Sequence, residues 1–293
     1  MVAGQALASP APDPPRIDLP SRHVSYGRDV IVTGTAPSTE IGHTVALEFA
    51  RRGSGTWNEL GSTTVAGSGA FRFATRLEQS GLVRVLDTST GSLTPFVAAH
   101  GIRGGTAVSM SAPVDVAARM RVRQRSIDVL AGQAVRLHGR LLPGLRGRKV
   151  SLQALQTGAW RTLSTSRTGP AGGFVLRYLT GGAGQERVRV RFAGDRLNGR
   201  STAPAGLITV FREAGASWYY DGGNTACGFH AFHGVANKTL PCGTTVSLRY
   251  NGRSVTATVD DRGPFVAGRD WDLNENTAAA LGFGGVGTVL SSQ

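Results

Sequence analysis

The sequence has few cysteines, few charged residues and no long apolar run. Two cysteines among 293 residues leave room for a single disulfide, and 17% charged with 40% hydrophobic residues excludes an intrinsically disordered chain. No run approaches the roughly 20 apolar residues that a membrane-spanning helix needs, so we predict no transmembrane segment. Glycine is plentiful instead, at 41 residues, which is typical of a turn-rich, mainly β protein.

The N-terminus is similar to the end of an export signal. Ala6–Ala8 has the A-x-A form of a signal-peptidase site and precedes a proline-rich stretch, so we predict a signal remnant and linker over residues 1–16. The alternative is a disordered leader without function. Cys227 and Cys242 favour export, because a pair 15 residues apart in a secreted chain most often forms a disulfide.

The formal charge of +13 belongs to the N-terminal part of the chain. Residues 212–293 contain six Lys/Arg and seven Asp/Glu, which leaves 26 basic and 12 acidic residues in the first 211. Such an excess attracts polyanions. The arginines are not grouped with aromatics as in a nucleic-acid groove, so for an exported chain we expect anionic wall polymers and no nucleic acid. A solvated basic surface without a specific partner is the alternative.

Two segments of this basic part resemble one another. Residues 26–85 and 129–190 align at an offset of about 100 residues, one domain length. Gly34 corresponds to Gly139, and Phe71 to Phe174. Short alternating runs such as VIVTG and VRLHG, separated by glycine-rich turns, predict antiparallel β-sandwiches of Ig-like architecture.

We place these two Ig-like modules at residues 17–113 and 114–211. Trp57 and Trp160 also correspond in the two copies, and each precedes or begins an alternating run. We interpret both as core residues of the sandwiches, in preference to ligand platforms.

Residues 212–293 break the pattern and form a third predicted domain. They hold both cysteines and one convincing helix signal, DLNENTAAALGF. In this run Asn274 is a plausible N-cap, Glu275 suits the first turn and Gly282 lies where a helix ends.

This third segment resembles the RlpA-like proteins. The motifs occur in the family's order: GASWY (215–219), TACG (225–228), KTLPCGT (238–244), NGRSV (251–255), DRGPFVAGRDWDL (261–273) and AAALGF (278–283). These proteins are exported double-psi β-barrels related to expansins and to a class of lytic transglycosylases. The resemblance implies a six-stranded barrel with a short helix, and peptidoglycan glycan strands as substrate.

The resemblance also implies non-hydrolytic cleavage, which needs one acid. A glycosidase that uses water normally needs two carboxylates. A lytic transglycosylase, a lyase, needs only one because the substrate's own 6-hydroxyl closes a 1,6-anhydro ring. Asp261 is the candidate acid, since in a regular strand it shares a face with Val255 and Val259, while Asp260 would be solvated. Alternatively, Asp261 caps the following turn or pairs with Arg262 or Arg269.

Two departures from the family bear on activity. Phe229 occupies the position of a family glutamate after T-A-x-G, and Asn237 that of a family histidine before K/R-T-L-P. Asn can hydrogen-bond a sugar but cannot transfer a proton. His230 and His233 lie nearby in sequence and are candidates to replace the histidine.

The remaining expectations concern binding. We predict substrate contacts by the residues that follow, of which Trp218 and Tyr219 are either sugar-stacking faces or barrel core: Trp218, Tyr219, Thr225, His230, His233, Asn237, Arg262 and Asp272. The run CGFHAFH also permits a zinc site, but its spacing is not that of a known finger, so no metal and no other cofactor is expected. Besides an enzyme, a non-catalytic expansin-like binder and a domain for protein contacts stay open.

Overall fold

The computed structural model describes residues 13–88, 108–123 and 126–293. The predicted cleavage site at Ala6–Ala8 lies outside the described residues. One α-helix, α1, spans Glu275–Leu281. The strands are β1 Arg16–Asp18, β2 His23–Ser25, β3 Asp29–Thr35, β4 Thr44–Arg51, β5 Asn58–Thr64, β6 Ala70–Arg76, β7 Gly81–Asp87, β8 Ala112–Ala117, β9 Arg119–Val122, β10 Ser126–Leu130, β11 Ala134–Leu142, β12 Lys149–Gln156, β13 Ala159–Arg167, β14 Gly173–Leu179, β15 Gly184–Phe192, β16 Ser201–Tyr219, β17 Gly234–Ala236, β18 Thr245–Tyr250, β19 Arg253–Asp261, β20 Trp271–Asn274 and β21 Gly287–Ser291.

The first basic segment folds into two sheets that share one core. A three-stranded sheet has the order β1-β3-β6, and a five-stranded sheet the order β2-β8-β7-β4-β5. Alternate residues of both sheets, such as Val30 and Val32 of β3 and Val83 and Val85 of β7, are fully buried in one cluster. Period-two alternation therefore places one face of each sheet in the core, as the sequence pattern predicts.

The second basic segment repeats this arrangement. Its three-stranded sheet has the order β14-β11-β9, and its other sheet joins β13, β12, β15, β16 and β10. A shared contact marks the repeat: a Cβ added to Gly34 would lie 2.3 Å from the Phe71 ring, and one added to Gly139 would lie 2.3 Å from the Phe174 ring. Only glycine lets each aromatic ring lie against the backbone here. The assignment of both modules to the Ig-like class stays a prediction.

The placement of the paired tryptophans in the core is wrong. Trp57 and Trp160 are each partly exposed and belong to neither core cluster. Arg84 stacks on Trp57 and Arg189 on Trp160, both with 4.0 Å from the guanidinium carbon to the ring centroid. Each tryptophan therefore stacks on an arginine of the outer face of a sheet, away from the core.

Strand β16 carries the chain directly from the second module into the third domain. Its first part pairs with β15, from Ser201↔Phe192 to Val210↔Gly184, and its last part pairs with β20 and β21. The predicted boundary at 211/212 thus falls inside one continuous strand, not in a linker. Arg249 and Asp128 form an ion pair beside this strand and join the two parts further.

The third domain is a closed six-stranded barrel. Its strand order is β16-β20-β17-β19-β18-β21, and β21 pairs again with β16 to close it. The pairs β16/β20 and β17/β19 are parallel, while the other pairs are antiparallel. The expected mainly β fold with a barrel of this kind is confirmed. Within the described residues, none of the helical segments has the length and apolarity that crossing a membrane requires.

The predicted helix and disulfide are both confirmed. The Asn274 side chain accepts a hydrogen bond of 2.9 Å from the Thr277 backbone N–H, and Gly282 ends the helix with φ of 66°. Cys227 and Cys242 are disulfide-bonded and cannot serve as zinc thiolates. Closing a loop of this size stabilises the fold by about 3 kcal/mol.

Candidate active site

A β-bulge at the end of β19 decides where the two adjacent aspartates lie. Val235 of β17 pairs with Val259, but the next residue, Ala236, pairs with Asp261, which leaves Asp260 as an extra residue. Val235 and Val259 both point into the barrel core. Because paired residues share a face and the bulge adds one residue, Asp261 lies with Ala236 on the face opposite the core. The prediction that Asp261 shares a strand face with Val255 and Val259 is therefore wrong.

Asp260 is the buried carboxylate of the pair, which corrects the expectation that it is solvated. It is 0% exposed, and the Ala231 backbone N–H donates a 2.9 Å hydrogen bond to its Oδ2. It lies over Gly234, where an added Cβ would come within 2.2 Å of the carboxylate. Burial raises the pKa of Asp260, the Ala231 N–H lowers it, and the charge of Asp221 raises it further.

Asp261 is partly exposed and is held by backbone amides. Its Oδ1 accepts hydrogen bonds of 2.8 Å from the N–H groups of Ala226 and Arg262. The bond from Arg262 is the turn-capping contact considered from the sequence. Among the described residues, no ion pair contains Asp261, so pairing with Arg262 or Arg269 is not what holds it.

A row of paired residues crosses four strands and brings Asp272 to the same face. Ser217 pairs with Asp272, Asp272 with Ala236 and Ala236 with Asp261. The Ser217 hydroxyl donates a 2.6 Å hydrogen bond to Asp272 Oδ1. Since strands lie about 4.8 Å apart, the backbones of Asp272 and Asp261 are about 10 Å apart across Ala236. Two predicted site residues thus lie on one face of the barrel, with the buried Ala236 between them.

Tyr219 lies close enough to these carboxylates for their charges to act on its phenol. Its position on β16, two residues after Ser217, puts it on the same face, and its hydroxyl is buried without a hydrogen bond. Burial raises the pKa of the Tyr219 phenol strongly, and the charges of four aspartates raise it further: Asp260, Asp261, Asp221 and Asp272. Trp218 faces the other way, packs on the barrel core and contacts Tyr220 edge-on at 4.8 Å. Its ring is therefore part of the packing.

Several predicted binding residues are used within the protein. Asn237 is 8% exposed, and its Oδ1 accepts from the backbone N–H groups of Thr239 and Leu240 while its Nδ2 donates to the Asp270 carbonyl. The expected sugar contact by Asn237 therefore gives way to a turn-forming role. The Thr225 hydroxyl donates a 2.6 Å bond to the Phe229 carbonyl and closes its own loop.

Arg262 and the disulfide support the loop that holds Asp261. The Arg262 guanidinium donates to the Asn237 carbonyl at 3.2 Å and lies 3.0 Å from Cys242 Sγ. Cys227 directly follows Ala226, whose N–H binds Asp261, and the Cys227 N–H donates to the Asp260 carbonyl at 3.2 Å. The cross-link thus fixes one of the two amides that anchor Asp261.

The two predicted histidines have different surroundings. His230 Nδ1 lies 2.8 Å from Asp221 Oδ2, without the angles of a hydrogen bond. His233 contacts the Phe232 ring edge-on at 4.9 Å, and its carbonyl accepts a bond from the Thr258 N–H. Of the two, only His230 joins the carboxylates around Asp260, so it alone is a candidate to transfer a proton there.

Exposed aromatic side chains near the carboxylates were missed from the sequence. They lie in the segments that carry or flank the aspartates, and their exposed fractions run from 41% to 85%: Tyr220, Phe229, Phe232 and Phe265. Aromatic residues exposed to this extent offer faces for sugar rings. Their one sequence signal was the density of aromatics after residue 215, which does not say which of them are exposed.

Comparison with known proteins agrees with this geometry. Residues 212–290 match the family model described as lytic transglycolase. The probable endolytic peptidoglycan transglycosylase RlpA of Synechocystis is 36% identical over 124 residues, 39% of this chain and 38% of that protein. The endolytic peptidoglycan transglycosylase RlpA of Neisseria meningitidis is 36% identical over 104 residues, 32% of this chain and 43% of that protein.

A third relative gives the same picture over a shorter segment. The probable RlpA of Aquifex aeolicus is 41% identical over 76 residues, 23% of this chain and 33% of that protein. The chain therefore spans less than half the length of each of these three relatives. The sequence similarity and the closed six-stranded barrel both indicate a double-psi β-barrel of the RlpA type. The C-terminal domain of this chain, residues 212–290, belongs to the RlpA-like family of double-psi β-barrels.

Proposed function

We propose that this protein is exported to the cell wall, where its barrel binds peptidoglycan glycan strands and cleaves them as a lytic transglycosylase. The peptidoglycan transglycosylase activity of the relatives supports the substrate and the reaction. The observation that carries the proposal is the bulge on β19, which puts the partly exposed Asp261 on the same face of the barrel as Asp272. A polymer can reach a carboxylate on such a face along its length.

In the proposed reaction, Asp261 is the general acid. It donates its proton to the glycosidic oxygen between N-acetylmuramic acid and N-acetylglucosamine, and the bond from the muramic C1 to that oxygen breaks. The muramic 6-hydroxyl then attacks C1 and returns its proton to Asp261, so no water is consumed. The carboxylate of Asp272 stabilises the positive charge that develops on the sugar. Exposed Tyr220, Phe232 and Phe265 supply stacking faces for neighbouring sugars.

A second candidate is a non-catalytic, expansin-like glycan binder. Phe229, at the position of a family glutamate, is 41% exposed and supplies a ring where active relatives have an acid. Asn237 lies at the position of a family histidine. Its side-chain amide hydrogen-bonds to backbone groups and cannot transfer a proton. These two substitutions favour binding over cleavage.

Digestion of purified wall sacculi separates the two candidates. We expect the wild-type protein to release anhydro-muropeptides, detected by mass spectrometry, and Asp261→Asn to release none while it still sediments with sacculi. Glu213→Gln, an exposed change elsewhere on the barrel, is the matched control and should match wild type. Equal product release by Asp261→Asn rules out the proposed acid. Binding without products from either protein supports the binder, and neither binding nor products points to a domain for protein contacts.

We also propose that the two N-terminal modules, at residues 17–113 and 114–211, hold the protein on anionic wall polymers. The support comes from the outer face of the sheet β14-β11-β9. Arg140 pairs directly with Arg121. Like charges directly opposite one another destabilise a sheet. A bound polyanion would neutralise these charges and remove the repulsion between them.

Arg121, Arg140 and Arg177 also line a concave surface that a polymer can enter. A groove of about 860 Å³ is lined by Arg121, Arg123, Arg140, Arg167 and Arg177 among other described residues, none of which is acidic. The test is retention on immobilised polyol-phosphate polymer at rising salt. Wild type should elute at higher salt than Arg121→Ser/Arg177→Ser, and identical elution would remove this proposal while leaving the barrel's activity untouched.

A further inference from the structure

Three side chains on one side of the barrel converge in a way that the proposed function does not use. Asp221 follows β16, His230 lies in the loop before β17, and Asp260 is the bulged residue of β19. One donor atom from each lies within 4.8 Å of the other two. Residues from three separate parts of the chain therefore present two carboxylates and an imidazole to a common point.

The two carboxylates are buried, and each has one oxygen that accepts no hydrogen bond. Asp260 is 0% exposed and its Oδ1 has no hydrogen bond, while the Asp221 side chain is 4% exposed and its Oδ2 has none either. Of the seven buried side-chain N or O atoms that lack a hydrogen bond in the described residues, three belong here, the third being Tyr219 Oη. Such atoms are rare in folded proteins because each costs desolvation free energy, and a cluster of them indicates a missing partner.

The charges around the cluster favour a cation as that partner. His230 is the one basic side chain in an ion pair with Asp221, and no described ion pair contains Asp260. The nearby Arg262 guanidinium is directed to the Asn237 carbonyl and Cys242 instead. Two buried carboxylates that face each other repel unless a proton or a metal ion lies between them.

We propose that Asp221, His230 and Asp260 bind a divalent transition-metal ion, with Zn²⁺ the best fit. Three protein ligands of nitrogen and oxygen type with a remaining open position are typical of non-structural zinc sites. In tetrahedral coordination, atoms bound to one ion at about 2.1 Å lie about 3.4 Å apart, so a spacing of 4.8 Å in this cluster needs to close by about 1.4 Å. The His230 side chain is 43% exposed, which gives the ion a path from solvent.

Other contacts hold these ligands in place. The Ala231 N–H holds Asp260 Oδ2 and leaves Oδ1 for the ion. The Asp221 backbone N–H donates a 2.9 Å bond to Glu275 of α1, which fixes the start of the loop. Supports of this kind orient metal ligands. The site differs from the C-x2-H-x2-H arrangement considered from the sequence, since both cysteines are disulfide-bonded, and from the expectation of no metal.

The ion would tie the loop before β17 to β16 and β19, next to Asp261. This inference does not rest on cleavage of peptidoglycan, because its readouts are metal affinity and unfolding temperature. Failure of the sacculus assay would therefore leave the metal site standing, and absence of metal binding would leave the role of Asp261 standing.

The test is isothermal titration of the EDTA-treated, dialysed full chain with ZnCl2, with MgCl2 as the hard-ion comparison. We expect one zinc ion per chain, no comparable binding of magnesium, and a higher unfolding temperature with zinc. Asp221→Asn and His230→Ala should each weaken zinc binding at least tenfold. His233→Ala, a histidine of the same loop outside the cluster, is the matched control and should bind like wild type.

Two outcomes would overturn the proposal. One is wild-type protein that binds no zinc at up to millimolar concentration, which would mean that the two carboxyl groups share a proton instead. The other is a loss on His233→Ala equal to that on His230→Ala, which would place the ion elsewhere. Circular dichroism of each variant ensures that the compared proteins are folded.

Discussion

Replacing Gly234 with alanine tests the packing that buries Asp260. Gly234 does not have a left-handed φ, so the substitution strains no backbone angle and acts through space alone. The new Cβ would lie 2.2 Å from one carboxylate oxygen of Asp260 and 2.6 Å from the other. Real contacts of this type are never so short, so Asp260 must move away from the Ala231 N–H.

The cost has two parts. Overpacking a filled site costs about 1–3 kcal/mol, and a buried N–H that loses its acceptor costs about 1–3 kcal/mol more. We therefore expect Gly234→Ala to lower the free energy of unfolding of the barrel by about 2–6 kcal/mol. In urea unfolding followed by circular dichroism, the midpoint should shift to lower urea.

Gly284→Ala is the matched control, because a Cβ there meets no atom within 4 Å. It should change the free energy of unfolding by no more than about 0.5 kcal/mol. In the double variant Gly234→Ala/Asp260→Ala the steric conflict is gone, so adding the Gly234 change to Asp260→Ala should cost much less than it does in wild type. Gly234→Ala as harmless as Gly284→Ala would refute the described position of Asp260.

Two further changes probe the same region. The pKa of Asp260 is raised, so between pH 3.8 and that raised value the folded state holds a proton that the unfolded state lacks. The free energy of unfolding should therefore fall as the pH rises through this window, and Asp260→Asn should abolish this pH dependence. An unchanged pH dependence of the urea midpoint in Asp260→Asn, measured from pH 3 to 8, would contradict the burial of Asp260. Cys227→Ser/Cys242→Ser should lower the free energy of unfolding by about 3 kcal/mol. It should also speed hydrogen exchange of the Ala226 amide, which donates to Asp261. Exchange of this amide as slow as in wild type would mean that the disulfide does not hold it in place.

The elements that depend on neighbours in the chain were predictable. The alternating runs became strands, and the N-cap at Asn274 and the stop at Gly282 lie where the sequence places them. The repeat of residues 26–85 in 129–190 reappears as matched sheets and a matched glycine–phenylalanine contact. Each of these signals acts over a few residues or copies a whole module, so it can be seen without knowing the fold.

The predictions that failed required knowledge of what lies across the sheet. Trp57 and Trp160 repeat as core residues would, yet each of them stacks on an arginine outside the core clusters. Asn237 was predicted to contact a sugar, but its side-chain oxygen accepts hydrogen bonds from the backbone N–H groups of Thr239 and Leu240. Exposure of a side chain is set by the element that packs against it, and a single strand does not record which element that is.

The order of residues by itself determined that this chain ends in a cross-linked β-barrel with one capped helix, because motif spacing and local propensity act within the chain. Only tertiary structure decided which aspartate is buried. One extra residue in β19, opposite β17, leaves Asp261 partly exposed on the face opposite the core and encloses Asp260 near Asp221 and His230. A bulge is a property of two strands in register, so its consequence is absent from either strand alone.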